Sequence, residues 1–126
     1  MSTETVSQAV RAYFAAIRAM NEQAWIDTFA EDAVSHDPVG APPIVGHEKL
    51  REFFQTITGA FKEVGLTEDE VFIAGNGAAV KWSGRGISQQ GRKAHFEGID
   101  VFEVNEEGKI QTLYAYWNPA EMMAQL

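Results

Sequence analysis

The sequence predicts an α+β fold in which three N-terminal helices lie across one face of a strongly curved antiparallel sheet, so that the whole forms a cone. Two observations carry this prediction. Apolar residues recur at helical spacing in the first half of the chain, whereas the second half consists of strand-like segments separated by short turns. An antiparallel sheet that buries one face needs a partner layer, and the helices supply it. We expect the inside of the cone to be an apolar pocket.

Three helices are predicted before the four long strands. The first spans about residues 4–20 and can be capped by Ser2 or Thr3; Asn21 caps a second, shorter helix, and a third runs from about His47 to Ala60. Their apolar stripes are Val6, Val10, Tyr13, Phe14, Ile17 and Met20 in the first helix, Trp25, Ile26 and Phe29 in the second, and Leu50, Phe53, Phe54 and Ile57 in the third. Each stripe is narrow enough to face one neighbouring layer.

The strands are predicted from alternation and turn residues. A short strand, "AVSH", precedes the third helix. Four long antiparallel strands then read "LTEDEVFIAG", "AAVKWSGRGIS", "RKAHFEGIDVFEV" and "KIQTLYAYW". Asn-Gly at residues 76 and 77 is a strong hairpin signal, and "QQG" and "NEEG" form the next two turns. Pro119 begins a short helical tail.

Composition narrows the function classes. A net charge of −8 is the opposite of the balance usual in nucleic-acid binders, so we set that class aside. The absence of cysteine excludes disulfides, thiolate zinc sites and cysteine nucleophiles. No apolar run approaches the length of a membrane-spanning helix, and "MSTETVSQAV" lacks the basic and apolar regions of a signal peptide. We therefore expect one soluble, cytoplasmic domain over residues 1–126.

Three polar residues interrupt apolar surroundings. Asp37, in "HDPVG", opens an almost uncharged loop, although Asp before Pro is also a common turn opener. Strand alternation places Asp100 on one face with Phe102 and Val104, where a carboxyl is either poorly solvated, at a solvent edge or in a buried ion pair. Tyr13 lies on the apolar stripe of the first helix, where a tyrosine is more often a core residue. Buried phenol and carboxyl groups need hydrogen-bond partners.

Five segments of the chain resemble the ketosteroid isomerases, within the nuclear transport factor 2-like superfamily. They are "VRAYFAAI", "FAEDAVSHDPVG", "LREFF", "GRK" and "IDVFEVNEEGKI", and the likeness runs from about residue 6 to residue 118. It implies that Tyr13 and Asp100 form an oxyanion hole, that Asp37 is the catalytic base, and that no metal or organic cofactor is needed. In some members further tyrosines hydrogen-bond the catalytic tyrosine; here Phe54 stands at such a position and cannot.

The resemblance also implies a substrate class. We assign Phe54, Trp82, Phe102 and Trp117 to the walls of a pocket for a hydrophobic, steroid-like ketone, in which a double bond moves into conjugation through a dienolate. Two alternatives stay open: a polyketide or aldol-type cyclase with the same enolate chemistry, and a non-catalytic dimeric module that binds a small ligand. Two carboxyls and a phenol at one spot favour an enzyme over the binding module. The sequence does not separate isomerase from cyclase.

The histidines are predicted to lie outside this pocket. We expect His36 to be structural and to point away from the pocket, and His47 to lie on the surface. His95 and Glu97 are predicted to form a pair on the outer face of the sheet. No H-x-x-x-H spacing occurs, which argues against a metal site.

The outer face of the sheet is predicted to be an interface. It carries Ile99, Val101, Tyr114 and Tyr116, and this face is too apolar to stay in water. We therefore expect a homodimer through it, as the resemblance also implies.

Overall fold

The computed structural model describes residues 2–126. Their elements are, in chain order, α1 (Thr3–Arg18), α2 (Glu22–Ile26), β1 (Phe29–His36), β2 (Ile44–Val45), α3 (Gly46–Gly59), β3 (Phe61–Ala74), β4 (Gly77–Ser88), β5 (Lys93–Val104), β6 (Ile110–Trp117) and α4 (Pro119–Met123). The side chains of Ser2 and Asn21 cap α1 and α2 as predicted, because they accept hydrogen bonds from the backbone N–H groups of Thr5 and Ala24 at 3.1 and 3.0 Å. No helix within residues 2–126 is both long and apolar enough to cross a membrane.

The strands form one sheet in the order β2-β1-β6-β5-β4-β3. The long strands β3 to β6 pair antiparallel in succession, as predicted. β1 differs, because it pairs parallel with β6. A parallel pair needs a long connection, which α3 and four strands provide here. The predicted α+β class, with a curved sheet and helices, is confirmed, but the sheet is not antiparallel throughout.

The first strand is longer than "AVSH". Phe29, which we placed on the second helix, is the first residue of β1. The register between β1 and β6 shifts between Phe29 and Val34, and such a bulge interrupts the alternation of buried and exposed positions. Because buried and exposed residues do not alternate there, the spacing of apolar residues did not show that Phe29 belongs to a strand and not to a helix.

The helices enclose the inner face of the sheet. α1 contacts β3, β4 and β5, whereas α3 contacts β1, β2 and β3. On β5 the faces are as predicted: Asp100, Phe102 and Val104 are buried, and Ile99 and Glu103 are exposed. This arrangement puts the Asp100 carboxyl in the space between the sheet and the helices.

The outer face of the sheet carries an apolar row that crosses five strands. Strand register aligns Phe72, Ala79, Val101, Tyr114 and His36 into this row. The His36 ring stacks on Tyr114, with ring centroids 4.9 Å apart and planes 3° apart, so His36 points away from the inner face as expected. Beside this row Ile99 pairs with Tyr116, and the two residues are 45% and 53% exposed. The apolar character that predicted an interface is therefore present on the surface.

Two other predictions for polar residues of the sheet and α3 are wrong. His47 is half-buried, and its Nε2 lies 2.9 Å from the carbonyl oxygen of Phe29, because the start of α3 packs against β1. His95 and Glu97 are both exposed, but they do not pair within the described structure. Glu97 Oε1 instead lies 3.1 Å from Nζ of Lys81, which stands diagonally opposite on β4.

Candidate active site

A cavity of about 560 Å³, counted out to its open mouth, lies between the inner face of the sheet and the helices. Its lining consists of Tyr13, Ile17, Trp25, Asp37, Phe53, Phe54, Ile57, Thr58, Val64, Leu66, Trp82, Phe96, Asp100 and Trp117. Almost all of these side chains are aliphatic or aromatic. The three polar residues singled out in the sequence are thus brought to one apolar cavity.

Tyr13 is fixed by the aromatic packing of α1. Its ring meets those of Phe14, Phe29 and Phe102 edge-on, with centroids 5.0, 6.0 and 5.1 Å away, and only 3% of the residue is exposed. Burial, the largest cause, and then the nearby Asp100 carboxyl raise the pKa of the Tyr13 phenol well above 10. The phenol therefore keeps its proton at any physiological pH and is available as a hydrogen-bond donor.

Asp100 is held on the inner face of β5, with Val80 and Ala115 opposite it on the two neighbouring strands. The residue is buried, and it makes no ion pair within the described structure. Burial first, and the charge of Asp37 second, raise the pKa of its carboxyl well above 3.8. Of the three possibilities left by the sequence, the poorly solvated carboxyl is the one that the structure shows.

Asp37 follows the last residue of β1, and the peptide bond that joins it to Pro38 is cis. Within residues 2–126 its side chain makes no hydrogen bond to the backbone of the turn. The carboxylate Oδ1 instead accepts a hydrogen bond from the indole Nε1–H of Trp117 at 2.6 Å, across 80 residues of chain. Burial raises the pKa of Asp37 from 3.8 to about 6, and the bond from Trp117 acts in the opposite direction. A carboxyl with this pKa is about nine-tenths ionised at pH 7.

The two carboxyls of the cavity consequently have different surroundings. Asp37 accepts a hydrogen bond from Trp117 and is partly exposed, and both features stabilise its negative charge near neutral pH. Asp100 is buried, and it lies in the field of the Asp37 charge, which disfavours a second negative charge nearby. The site offers one largely ionised carboxylate, which can accept a proton, beside a phenol and a second carboxyl, whose raised pKa values favour the protonated forms that can donate hydrogen bonds.

Three of the four predicted wall residues line the cavity: Phe54, Trp82 and Trp117. Phe102 does not. It is fully buried and packs against the ring of Tyr13 from beneath the cavity floor. Strand alternation assigned Phe102 correctly to the inner face of the sheet. Alternation does not show whether a residue on that face reaches the cavity, and Phe102 belongs to the buried core.

Other wall residues were missed in the sequence. Phe96 shares the parity of Asp100 on β5, so strand alternation could have identified it. Trp25 was assigned only to a helix stripe, and no local signal shows that α2 turns this indole toward the cavity. Gly98 contributes by having no side chain, since a Cβ there would lie 2.6 Å from the ring of Trp82 and 2.7 Å from Cβ of Trp117. Within residues 2–126 no three His, Asp or Glu side chains are grouped as metal ligands would be.

Comparison with known sequences identifies relatives over nearly the whole chain. A family model described as the SnoaL-like domain matches residues 10–113. The steroid Delta-isomerase of Nocardioides simplex is 32% identical over 124 residues, which cover 98% of this chain and 97% of that protein. The similarity thus includes the segments that carry Tyr13, Asp37 and Asp100.

Solved structures share the fold at lower identity. A Mycobacterium tuberculosis protein in complex with estradiol-17beta-hemisuccinate superposes with a TM-score of 0.82 and 23% identity, covering 93% of this chain and 96% of that one. The epoxide hydrolase/cyclase-like enzyme SalBIII, from pyran ring formation in the polyether salinomycin, gives a TM-score of 0.83 and 24% identity, covering 94% of each chain. At these identities the similarity establishes the fold alone.

Proposed function

The chain belongs to the SnoaL-like domain family of the nuclear transport factor 2-like superfamily, and on that premise we propose that it is a cofactor-free isomerase that moves a double bond into conjugation in a hydrophobic, steroid-like ketone. The full-length similarity to a steroid Delta-isomerase supports the reaction type. The observation that carries the proposal is the meeting of Tyr13, Asp37 and Asp100 at one apolar cavity, where burial raises the pKa of Asp37 to about 6 and that of Asp100 well above its ordinary value.

Asp37 would be the base. In a ketone whose double bond is one carbon too far from the carbonyl to conjugate with it, the carbon between the two groups bears the most acidic proton. The ionised Asp37 takes that proton, and the electron pair of the C–H bond moves into the carbonyl, which becomes a dienolate oxygen. The protonated Asp37 then returns the proton to the far carbon of the dienolate, and the carbonyl re-forms. Asp37 ends in its initial state, and no cofactor is required, because the carbonyl itself accepts the electrons.

Tyr13 and Asp100 would stabilise the dienolate oxygen. Both are buried, both have a raised pKa, which favours the form that carries the proton, and both line the cavity that Asp37 lines. Donors fixed in an apolar, water-poor site stabilise a developing negative charge more than the same donors do in water. The aromatic contacts around the Tyr13 ring fix its direction before a substrate arrives. The remaining walls are apolar and suit a hydrocarbon skeleton.

The cyclase alternative uses the same three groups, since a dienolate can attack a second carbonyl carbon instead of being reprotonated. A purely binding role has less support, because a pocket that only holds an apolar ligand has no need of a base whose pKa lies near 6. The products distinguish these alternatives. Isomerisation yields a conjugated enone. Cyclisation consumes the ketone without yielding a conjugated enone, and binding alone leaves the ketone unchanged.

The test is a turnover assay on a small panel of β,γ-unsaturated ketones of steroid size and smaller, followed by the ultraviolet absorbance of the conjugated product. We expect the enone to appear with the native chain and with Asp32→Asn, which removes the same charge from an exposed position outside the cavity. We expect Asp37→Asn to reduce the rate by about a hundred- to ten-thousandfold, the usual contribution of a general base. Equal rates for the two variants would contradict the proposed role of Asp37.

A further inference from the structure

Two tryptophans of the cavity have indole N–H groups without a hydrogen-bond partner in the described structure. They are Trp25, on α2, and Trp82, on β4, and each residue is only 2% exposed. The third tryptophan of the cavity, Trp117, is different, because its N–H group already binds Asp37. Buried N–H groups are nearly always paired in folded proteins, since leaving one unpaired destabilises the fold. We therefore expect each of these two indole N–H groups to have a hydrogen-bond acceptor in the functional state of the site.

A ligand cannot supply those acceptors directly. Each Nε1 atom has less than 1 Å² of accessible surface, so neither water nor a ligand oxygen in the cavity can touch it. Tyr13 and Asp100 are the polar groups near these indoles. The ring of Trp25 lies 5.9 Å from that of Tyr13, and its N–H acts to lower the pKa of the phenol. Trp82 is the diagonal neighbour of Asp100 on the inner face of the sheet, because it pairs with Gly98, two residues before Asp100, and both residues line the cavity.

We propose that Trp25 and Trp82 are positioning residues of the oxyanion site: when a ligand oxygen enters the cavity, the Trp25 N–H donates to the phenol oxygen of Tyr13, and the Trp82 N–H donates to the carbonyl oxygen of Asp100. This inference rests on the proposed function, because it assigns the two indoles to the donors that would face the dienolate.

The chemistry of the indole explains the direction of each bond. An indole N–H can only donate, so it occupies the acceptor side of its partner and leaves the proton of that partner free. The hydroxyl protons of Tyr13 and Asp100 are then directed at the ligand oxygen. A donor that receives a hydrogen bond is also polarised and donates more strongly, since linked hydrogen bonds strengthen one another. Trp25 also contacts Phe54, which has no hydrogen-bonding group, so a polar neighbour for Tyr13 is provided by α2 and not by α3.

The three tryptophans make this inference directly observable. The sequence contains only three, so the indole N–H region of a proton–nitrogen NMR spectrum holds three signals, assigned by Trp25→Phe, Trp82→Phe and Trp117→Phe. The probes are substituted naphthols of nearly equal shape and graded acidity, whose ring-current effects stay nearly constant. We expect the Trp25 and Trp82 protons to move progressively downfield as the bound naphtholate becomes more basic. Signals that are the same across the series would overturn the inference.

Affinities supply a second readout. In the native chain, the affinity for the naphthols should vary with their acidity, and Trp25→Phe and Trp82→Phe should each flatten that dependence. The control is Phe96→Leu, which removes bulk from the same cavity without removing a donor; it should change all affinities alike and keep the slope. Unchanged slopes in both tryptophan variants would contradict the inference while leaving the base assignment intact. If no naphthol bound the native chain, the proposed function itself would fail, and the inference with it.

Discussion

Replacing Trp117 with Phe should raise the pKa of Asp37. The bond from the indole Nε1–H to the Asp37 carboxylate is 2.6 Å long, and it holds the pKa down against burial, which brings it to about 6. A hydrogen bond to a charged group contributes about 1.5–3 kcal/mol. At 1.36 kcal/mol per pKa unit, its loss raises the pKa by about one to two units, to about 7 to 8. A phenylalanine keeps an aromatic ring beside Phe96, whose centroid lies 5.9 Å from that of the indole.

The consequence for activity has a definite sign. The base must be ionised, so kcat/KM rises with pH through the pKa of Asp37, and a higher pKa moves this acid limb toward alkaline pH. At pH 7 the ionised fraction falls from about nine-tenths to between about one half and one tenth. The assay is kcat/KM for a β,γ-unsaturated ketone across the pH range, in the native chain and in Trp117→Phe. At pH values above the raised pKa, kcat/KM of the variant should approach that of the native chain, which serves as the internal control. An acid limb that does not move would refute this account of Asp37.

Three further predictions concern the donors, the carboxyl charge and the assembly. Tyr13→Phe removes one oxyanion donor, so kcat should fall by about a hundred- to a thousandfold, equivalent to about 3 kcal/mol, and naphthol affinity should weaken; unchanged affinity in titrations would contradict it. Because the folded pKa of Asp100 is raised, its contribution to stability is complete at low pH and is lost as pH rises from about 4 toward that folded pKa. Asp100→Asn should therefore flatten the decline in the free energy of unfolding with pH, measured by urea denaturation, and a steeper decline would contradict it. Ile99→Glu places a charge on the exposed apolar face, so sedimentation at micromolar concentration should show dimers for the native chain and monomers for the variant, with an unchanged dimer as the contrary result.

Local periodicity predicted most of the fold. Helical spacing located α1 and α3, and strand alternation put Asp100 on the inner face. Alternation failed where the chain leaves the regular pattern, since the bulge after Phe29 disguised the start of β1. The parallel pairing of β1 with β6 also escaped prediction, because it joins segments about 80 residues apart and has no signature in either of them.

The candidate site was predictable to a smaller extent. The resemblance to the ketosteroid isomerases brought Tyr13, Asp37 and Asp100 together, and strand alternation by itself predicted only the face on which Asp100 lies. The depth of Phe102 and the direction of Trp25 depend on how α1 and α2 cross the sheet, which no single segment encodes. The bond between Trp117 and Asp37 is a long-range contact of the same kind.

The central claim is a division of labour, in which Asp37 moves a carbon-bound proton while Tyr13 and Asp100 bind the oxygen. The most direct measurement is a pair of values for Asp37→Asn: turnover of an unconjugated enone, and affinity for a naphthol-type ligand by fluorescence titration. We predict that turnover falls by about a hundred- to ten-thousandfold, whereas affinity is kept or increases, because the variant removes a negative charge near the bound oxygen. Turnover at the native level, or loss of turnover and binding together in a folded protein, would contradict the claim.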